Sequence, residues 1–197
     1  MVILVEDGKE ATATFRNFKK QTVTLTKEDA SDGSKIAGCQ YEIIHIDGKG
    51  AWRATGETDA QGSISWVGVP DGTFLVRECS TVSPYILDAT PQYVTVRNGM
   101  APSLKFLDSK YPGLSITKLD KQSGEIITSP ATFRVEQIDG DYTIDVVTKN
   151  GVANITDMPV GSFKITEKVS PSGYVIDENC GYISLNPGES KQYIAYN

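Results

Sequence analysis

The chain repeats itself at an offset of about 90 residues, and this periodicity constrains its fold more than any other feature. Residues 62–78, GSISWVGVPDGTFLVRE, lie over residues 151–167, GVANITDMPVGSFKITE. Gly62 and Gly151, Pro70 and Pro159, Gly72 and Gly161, Phe74 and Phe163, and Glu78 and Glu167 are each 89 apart. The same offset carries Tyr85 to Tyr174, Tyr93 to Tyr182, Gly99 to Gly188 and Asp108 to Asn197. It widens to 91 between Lys27 and Lys118, and to 92 between Asp47 and Asp139. Two units are therefore expected, 18–109 and 110–197, joined at SKYPG (109–113), where Pro and Gly together stop a strand from crossing. Residues 1–17 belong to neither unit. Shifted by 91, Gly8, Phe15 and Asn17 meet Gly99, Phe106 and Asp108, so the segment reads as the last two strands of a preceding, truncated repeat.

Within a repeat the pattern is β throughout. TVTLTK, QYEIIHI, SISWV, TFLVRE and YVTVR are short, rich in β-branched and aromatic residues, and bounded by Gly, Asp, Asn or Pro. Asp-Gly recurs at 7–8, 32–33, 47–48, 71–72 and 139–140, the chemistry of hairpin turns. No window holds a sustained helical period. About seven strands per 90 residues predict an all-β chain of tandem two-sheet β-sandwiches, one per repeat.

Composition narrows the function classes. Nineteen Lys and Arg against 25 Asp and Glu leave a net charge of −6 over 197 residues, so no nucleic-acid or anionic-membrane partner is expected. One His and three Cys cannot build a His/Cys zinc site, so no metal is expected and no cofactor is implied. No stretch approaches the ~20 apolar residues of a membrane span, and the opening MVILVEDGKE does not read as a signal peptide.

Strand alternation then places polar residues on the apolar side. Val23, Leu25 and Lys27 share a face, as do Leu114, Ile116 and Lys118. Phe74, Val76 and Glu78 are in phase, and so are Phe163, Ile165 and Glu167. Leu104, Phe106 and Asp108 follow suit, with Ala13, Phe15 and Asn17 repeating the pattern in the leading segment. The second repeat ends Tyr193, Ala195, Asn197, but Ile194 and Tyr196 leave its phase ambiguous. A lone Lys at a strand end is ordinarily a partly exposed ion pair. Recurrence of the same three positions in both repeats argues for a buried set. Desolvation removes the proton from an amine and adds one to a carboxyl. A neutral Lys amine beside an Asp or Asn carbonyl carbon is a nucleophile beside an electrophile, with a protonated Glu able to polarise the carbonyl and move protons. The product would be an amide, with release of water or ammonia.

These stretches also carry a family resemblance. TLTKEDASDGSKIAGCQYEI and SITKLDKQSGEIITSPATFRV, the central G-x5–8-P-x-G-x-F block, ITEKVSPSGY and the terminal FLD or AYN resemble the Cna B-type (SpaA-like, prealbumin-like) domains of Gram-positive surface adhesins and pilins. The resemblance implies a self-catalysed isopeptide bond from the first-strand Lys to the last-strand Asp or Asn, promoted by Glu. Carried over, it assigns Lys27, Glu78 and Asp108 to the first repeat and Lys118, Glu167 and Asn197 to the second. The first repeat departs from the family's E-x-x-x-P-x-G-Y, reading ECSTVSPY, with Pro displaced and Gly absent. Asn17 would be an unreacted acceptor. In the resembled fold the first and last strands are neighbours, so the bond would tie together the two ends of a repeat. A crosslink spanning about 80 residues stabilises by roughly 4–5 kcal/mol on the chain-entropy model.

The expected function is a structural stalk of a bacterial cell-surface adhesin, extracellular and monomeric, whose partners are its neighbouring repeats. It turns over no external substrate; each repeat reacts once with itself. Two alternatives stand beside it: a module binding a host protein or glycan, for which Trp52 and Trp66 would mark the patch, and a pilin shaft subunit. His45 is read as a surface strand residue off the Tyr41 and Ile43 face, with Gln137 as its counterpart. Cys39 is read as inward and Cys79 as outward, so all three cysteines are expected free, Cys39–Cys79 being the one disulfide worth testing.

Overall fold

The computed structural model describes residues 7–8, 21–48, 51–97, 100 and 102–197. The strands assigned to residues 1–17, and Asn17 with them, lie outside the described residues apart from the Asp7-Gly8 turn. The described residues contain fourteen strands and no helix. The first seven are β1 (Gln21–Asp29), β2 (Gln40–His45), β3 (Arg53–Glu57), β4 (Ser63–Val69), β5 (Gly72–Ser80), β6 (Gln92–Val96) and β7 (Ser103–Asp108). The second set is β8 (Gly113–Leu119), β9 (Thr132–Gln137), β10 (Thr143–Val147), β11 (Val152–Ile155), β12 (Gly161–Val169), β13 (Gly181–Leu185) and β14 (Ser190–Tyr196).

Each set makes one sandwich of a three-stranded and a four-stranded sheet. The orders are β4-β1-β7 with β3-β2-β5-β6, then β11-β8-β14 with β10-β9-β12-β13. Alternation drives this layering. In β1, Val23, Leu25 and Lys27 are buried between half-exposed threonines, and β7 buries Leu104, Phe106 and Asp108 between exposed neighbours. Opposite them, Tyr41, Ile43, Phe74, Val76, Val94 and Val96 complete the first core. The second core gathers Leu114, Ile116, Phe133, Val135, Phe163, Ile165 and Leu185 in the same manner.

The first and last strands of each sandwich are parallel neighbours. β1 pairs with β7 so that Lys27 stands opposite Phe106 and Asp29 opposite Asp108. β8 pairs with β14, Lys118 opposite Ala195. Because parallel neighbours cannot be joined by a tight turn, the chain between them supplies the third strand of their sheet and all four of the opposite one.

Two expectations are corrected. Asp-Gly does not always close a hairpin. Asp71-Gly72 joins β4 to β5, which belong to different sheets. Asp47-Gly48 and Asp139-Gly140 connect hydrogen-bonded neighbouring strands, β2 with β3 and β9 with β10, and Asp32-Gly33 turns the chain between the antiparallel pair Glu28 and Lys35. His45 is not a surface residue. Positions 41, 43 and 45 alternate onto one face, and the His45 side chain is only 4% exposed, with Nε2 2.7 Å from Asp47 Oδ1. Its ring stacks on Phe74 at 4.8 Å between centroids.

Trp66 is a core residue whose indole donates to the Thr55 carbonyl at 3.1 Å, and Trp52 meets Phe74 edge-on at 5.5 Å. Neither marks an exposed patch. Cys39 is buried, Cys79 exposed and Cys180 half-buried, all as free thiols. The ambiguous phase of β14 resolves with Ala195 buried and Ile194 and Tyr196 exposed. No helix among the described residues is long and apolar enough to cross a membrane.

Candidate functional site

The lysine of each first strand is fixed through its backbone. Lys27 N–H donates to the Gly62 carbonyl at 2.7 Å, and its carbonyl accepts from Ile36 N–H at 3.1 Å. Lys118 is held identically, donating to Gly151 at 2.8 Å and accepting from Ile127 at 3.0 Å. This explains the repeated glycine. Gly62 and Gly151 take φ of 65° and 81°, and a Cβ at Gly62 would sit 2.6 Å from the Lys27 carbonyl oxygen.

In the first sandwich Lys27 and Asp108 come from the three-stranded sheet and Glu78 from the sheet facing it, where it stands opposite Tyr41. All three are buried, at 0%, 1% and 1% exposure. Lys27 Nζ lies 2.9 Å from Glu78 Oε2 and also donates to Asp108 Oδ1. Thr81 donates its hydroxyl to the other acceptor oxygen, Asp108 Oδ2, at 2.8 Å. The Tyr41 ring lies beneath the ammonium, 5.8 Å from centroid to Nζ. Burial pushes the Glu78 carboxyl above its ordinary range, against the opposing pull of Lys27, and burial likewise raises the Tyr41 phenol and the Cys39 thiol. Burial thus favours the neutral, proton-bearing form of Glu78, which spares the site an unpaired buried charge.

The second sandwich assembles the same elements with different contacts. Lys118 is fully buried and Glu167 5% exposed, with Nζ 3.0 Å from Oε1 and 5.4 Å from the Phe133 ring centroid. Asn197 reaches Glu167 Oε2 through Nδ2 at 3.2 Å, and the same oxygen accepts from Asp177 N–H at 2.8 Å. Lys118 Nζ donates to the carbonyl of Tyr196, the residue before Asn197, at 3.0 Å rather than to the Asn197 side chain. The Asn197 Oδ1 is buried with no hydrogen-bond partner. A small cavity lined by Lys118, Phe133, Glu167, Asp177, Tyr193 and Ala195 opens beside the amine.

Thus Lys27, Glu78 and Asp108 meet directly, whereas Glu167 stands between Lys118 and Asn197. The partly exposed strand-end ion pair that a lone Lys would suggest does not describe either lysine. The irregular loop ECSTVSPY, with a cis Ser83–Pro84 bond, delivers Thr81 to the site.

A second recurring pair escapes inspection of the lysine, glutamate and acceptor positions. Tyr85 donates its hydroxyl to Asp29 Oδ2 at 3.1 Å, and Tyr174 donates to Asp120 Oδ2 at 2.8 Å. Both tyrosines are 89 apart and both aspartates 91 apart, each two residues beyond its lysine. Asp29 also binds Lys110 from the segment joining the sandwiches, at 2.8 Å. Among the described residues, no group of three or more His, Cys, Asp or Glu side chains is arranged to hold a metal ion.

The chain is similar to solved structures that include the Bacillus anthracis TIE protein, at 22% identity and a TM-score of 0.48 over 90% of this chain and 34% of that one. A streptococcal ancillary pilin aligns at 16% identity and a TM-score of 0.47, over 91% of this chain and 63% of its own. The shaft pilin SpaA of Lactobacillus rhamnosus GG aligns at 14% identity and a TM-score of 0.45, over 90% and 98%. The chain therefore spans about a third of the first of these and less than two thirds of the second. No curated protein matches it. The model of the SpaA domain, described as a prealbumin-like fold domain, matches twice, over residues 21–110 and 112–196. With two matches that take in both sandwiches, the chain belongs to the SpaA family of prealbumin-like fold domains.

Proposed function

We propose that the chain is a stalk segment of a bacterial cell-surface adhesin or pilus, displayed outside the cell. In this reading two tandem repeats, 18–109 and 110–197, each lock themselves with one isopeptide bond. The observation that carries it is the buried contact of Lys27 with Asp108 and Glu78 between the first and last strands.

The chemistry follows from those contacts. A proton passes from Lys27 Nζ to the Asp108 oxygen it touches, giving an amine and a carboxylic acid without moving charge out of the site. The Nζ lone pair attacks Asp108 Cγ. Glu78, bound to Nζ through Oε2, gives its proton to the departing oxygen and takes one back from the nitrogen. The Nζ–Cγ bond forms, a Cγ–O bond breaks, one water leaves, and Glu78 ends as it began. In the second repeat, Lys118 and Asn197 would give the same linkage with loss of ammonia, and Glu167 would relay the proton.

Such a bond suits a load-bearing role. Force entering at Gln21 would follow β1 only to Lys27 before crossing to Asp108 at the end of β7. The strands between them would carry no tension. No external substrate is turned over, and no cofactor is required.

Intact mass spectrometry of the denatured, reduced chain tests the proposal. A deficit of one water plus one ammonia is expected. Glu78→Ala should abolish the loss of water alone, and Glu167→Ala the loss of ammonia alone. A mass equal to that encoded would overturn the reading for both repeats.

A further inference from the structure

We propose that Thr81 is a catalytic residue of the first repeat, its hydroxyl stabilising the charge that develops on Asp108 Oδ2 as Lys27 attacks. The inference rests on the crosslinking reaction proposed above and assigns it a group outside the Lys, Glu and acceptor trio.

Glu78 is spent on the nucleophile. Its Oε2 binds Lys27 Nζ at 2.9 Å, and its buried Oε1 has no hydrogen-bond partner. The acceptor is held instead by two groups on its two oxygens, Lys27 on Oδ1 and Thr81 on Oδ2 at 2.8 Å. This division assigns different fates to the oxygens. Oδ1 takes the proton from Lys27 and departs as water. Oδ2 receives the carbonyl electron pair on attack and becomes the amide oxygen once the Cγ–Oδ1 bond breaks. Thr81 is the donor already aimed at it, and the carboxyl group it serves is buried, where such donors have a large effect.

The threonine is oriented in turn. A hydroxyl has one proton, and that of Thr81 goes to Asp108. Its 3.5 Å contact with Cys39 Sγ therefore has the thiol as donor. Burial keeps the thiol protonated. A relay from Cys39 through Thr81 to Asp108 thus fixes the hydroxyl rotor. The second repeat lacks both members: Ala131 occupies the Cys39 position, each donating its backbone N–H to a threonine hydroxyl oxygen (Thr148 and Thr58, respectively). Ser170, at the Thr81 position, donates to the Tyr174 carbonyl within its own loop. The relay belongs to the repeat whose acceptor is an Asp and whose loop departs from the regular proline pattern.

The test follows the mass of the full chain after cell-free synthesis, with aliquots quenched in denaturant. Thr81→Val keeps the side-chain shape and removes the donor; Thr81→Ser restores a hydroxyl. Thr81→Val should slow the loss of water about 100-fold, leave the loss of ammonia at its original rate, and leave the circular dichroism of a β fold intact. Thr81→Ser should recover most of the rate. Equal rates for Thr81→Val and the unsubstituted chain would overturn the role of Thr81 while leaving the crosslink standing. A Thr81→Val chain that has lost its β signal is decided by Thr81→Ser and Thr81→Asn, which must then order by donor rather than by size. Absence of any water loss from the unsubstituted chain would overturn the crosslink itself, and the inference with it.

Discussion

A lysine at 0% exposure is costly unless every neighbouring group is arranged for it, and around Lys27 they are. The acceptor makes one consequence sharp. In the proposed crosslink, Asp108 and an asparagine in its place would lead to the same amide, by loss of water from one and ammonia from the other. Asp108→Asn should therefore give a crosslinked chain of the same final mass as the unsubstituted one, although the encoded masses differ. High-resolution intact mass measurement checks this, and a mass differing by the encoded substitution would count against Lys27–Asp108 chemistry. Backbone placement is equally demanding. Gly62→Ala puts a Cβ 2.6 Å from the Lys27 carbonyl at a positive φ, so it should cost more than about 1 kcal/mol. It should also slow water loss by displacing the nucleophile, which a time course of the mass would register.

Between residues and strands lies the clamp at the end of β1. Asp29 is 1% exposed. Burial opposes its charge, but hydrogen bonds from Lys110, Ser31 and Tyr85 outweigh it and hold the carboxyl far below the ordinary Asp value of 3.8. A carboxyl depressed in the folded state stabilises above its unfolded pKa, and that stability is lost as pH falls through the folded value. In a Glu78→Gln chain, which cannot hide unfolding behind the bond, the urea midpoint should fall as pH drops below about 4. Adding Asp29→Asn should lower the unfolding free energy at neutral pH by about 2 kcal/mol, moving the urea midpoint down, and flatten that acid limb. An unchanged acid limb in the Asn variant would mean that other carboxyls dominate it.

This level also divides what could be read from sequence from what could not. Lys27, Glu78 and Asp108 were legible because each lies in a strand, where alternation assigns a face, and because an offset repeats each one. Asp29 and Tyr85 satisfied the same offsets, but a Tyr in a loop has no period to orient it. Thr81 carried neither signal: its loop is irregular, and its counterpart Ser170 turns to its own backbone. β3 and β10 are half-exposed edge strands, and RATGE shows little of the apolar run that marks a strand. Asp71-Gly72 misled because the same dipeptide serves a hairpin and a corner between sheets; only pairing partners distinguish them. For β14, exposed Ile194 and Tyr196 outweighed small, buried Ala195 in any hydrophobicity pattern.

At the scale of the whole molecule, the parallel pairing of first and last strands decides how the chain meets force. Pulled from its ends, an uncrosslinked sandwich shears β1 past β7 and then pays out everything between them. Lys27 and Asp108 are 81 positions apart, so rupture of the first repeat without its bond should release roughly 250 Å of chain. With the bond in place that length stays inside a closed loop, and the amide does not reopen as the strands breathe. Single-molecule extension should therefore show no release of that size from the unsubstituted chain. Glu78→Gln should show one such step, Glu167→Gln a similar one from the second repeat, and the double variant both. A full-length step from the unsubstituted chain would show load passing through the strands rather than across the crosslink. The stalk would then owe its strength to packing alone.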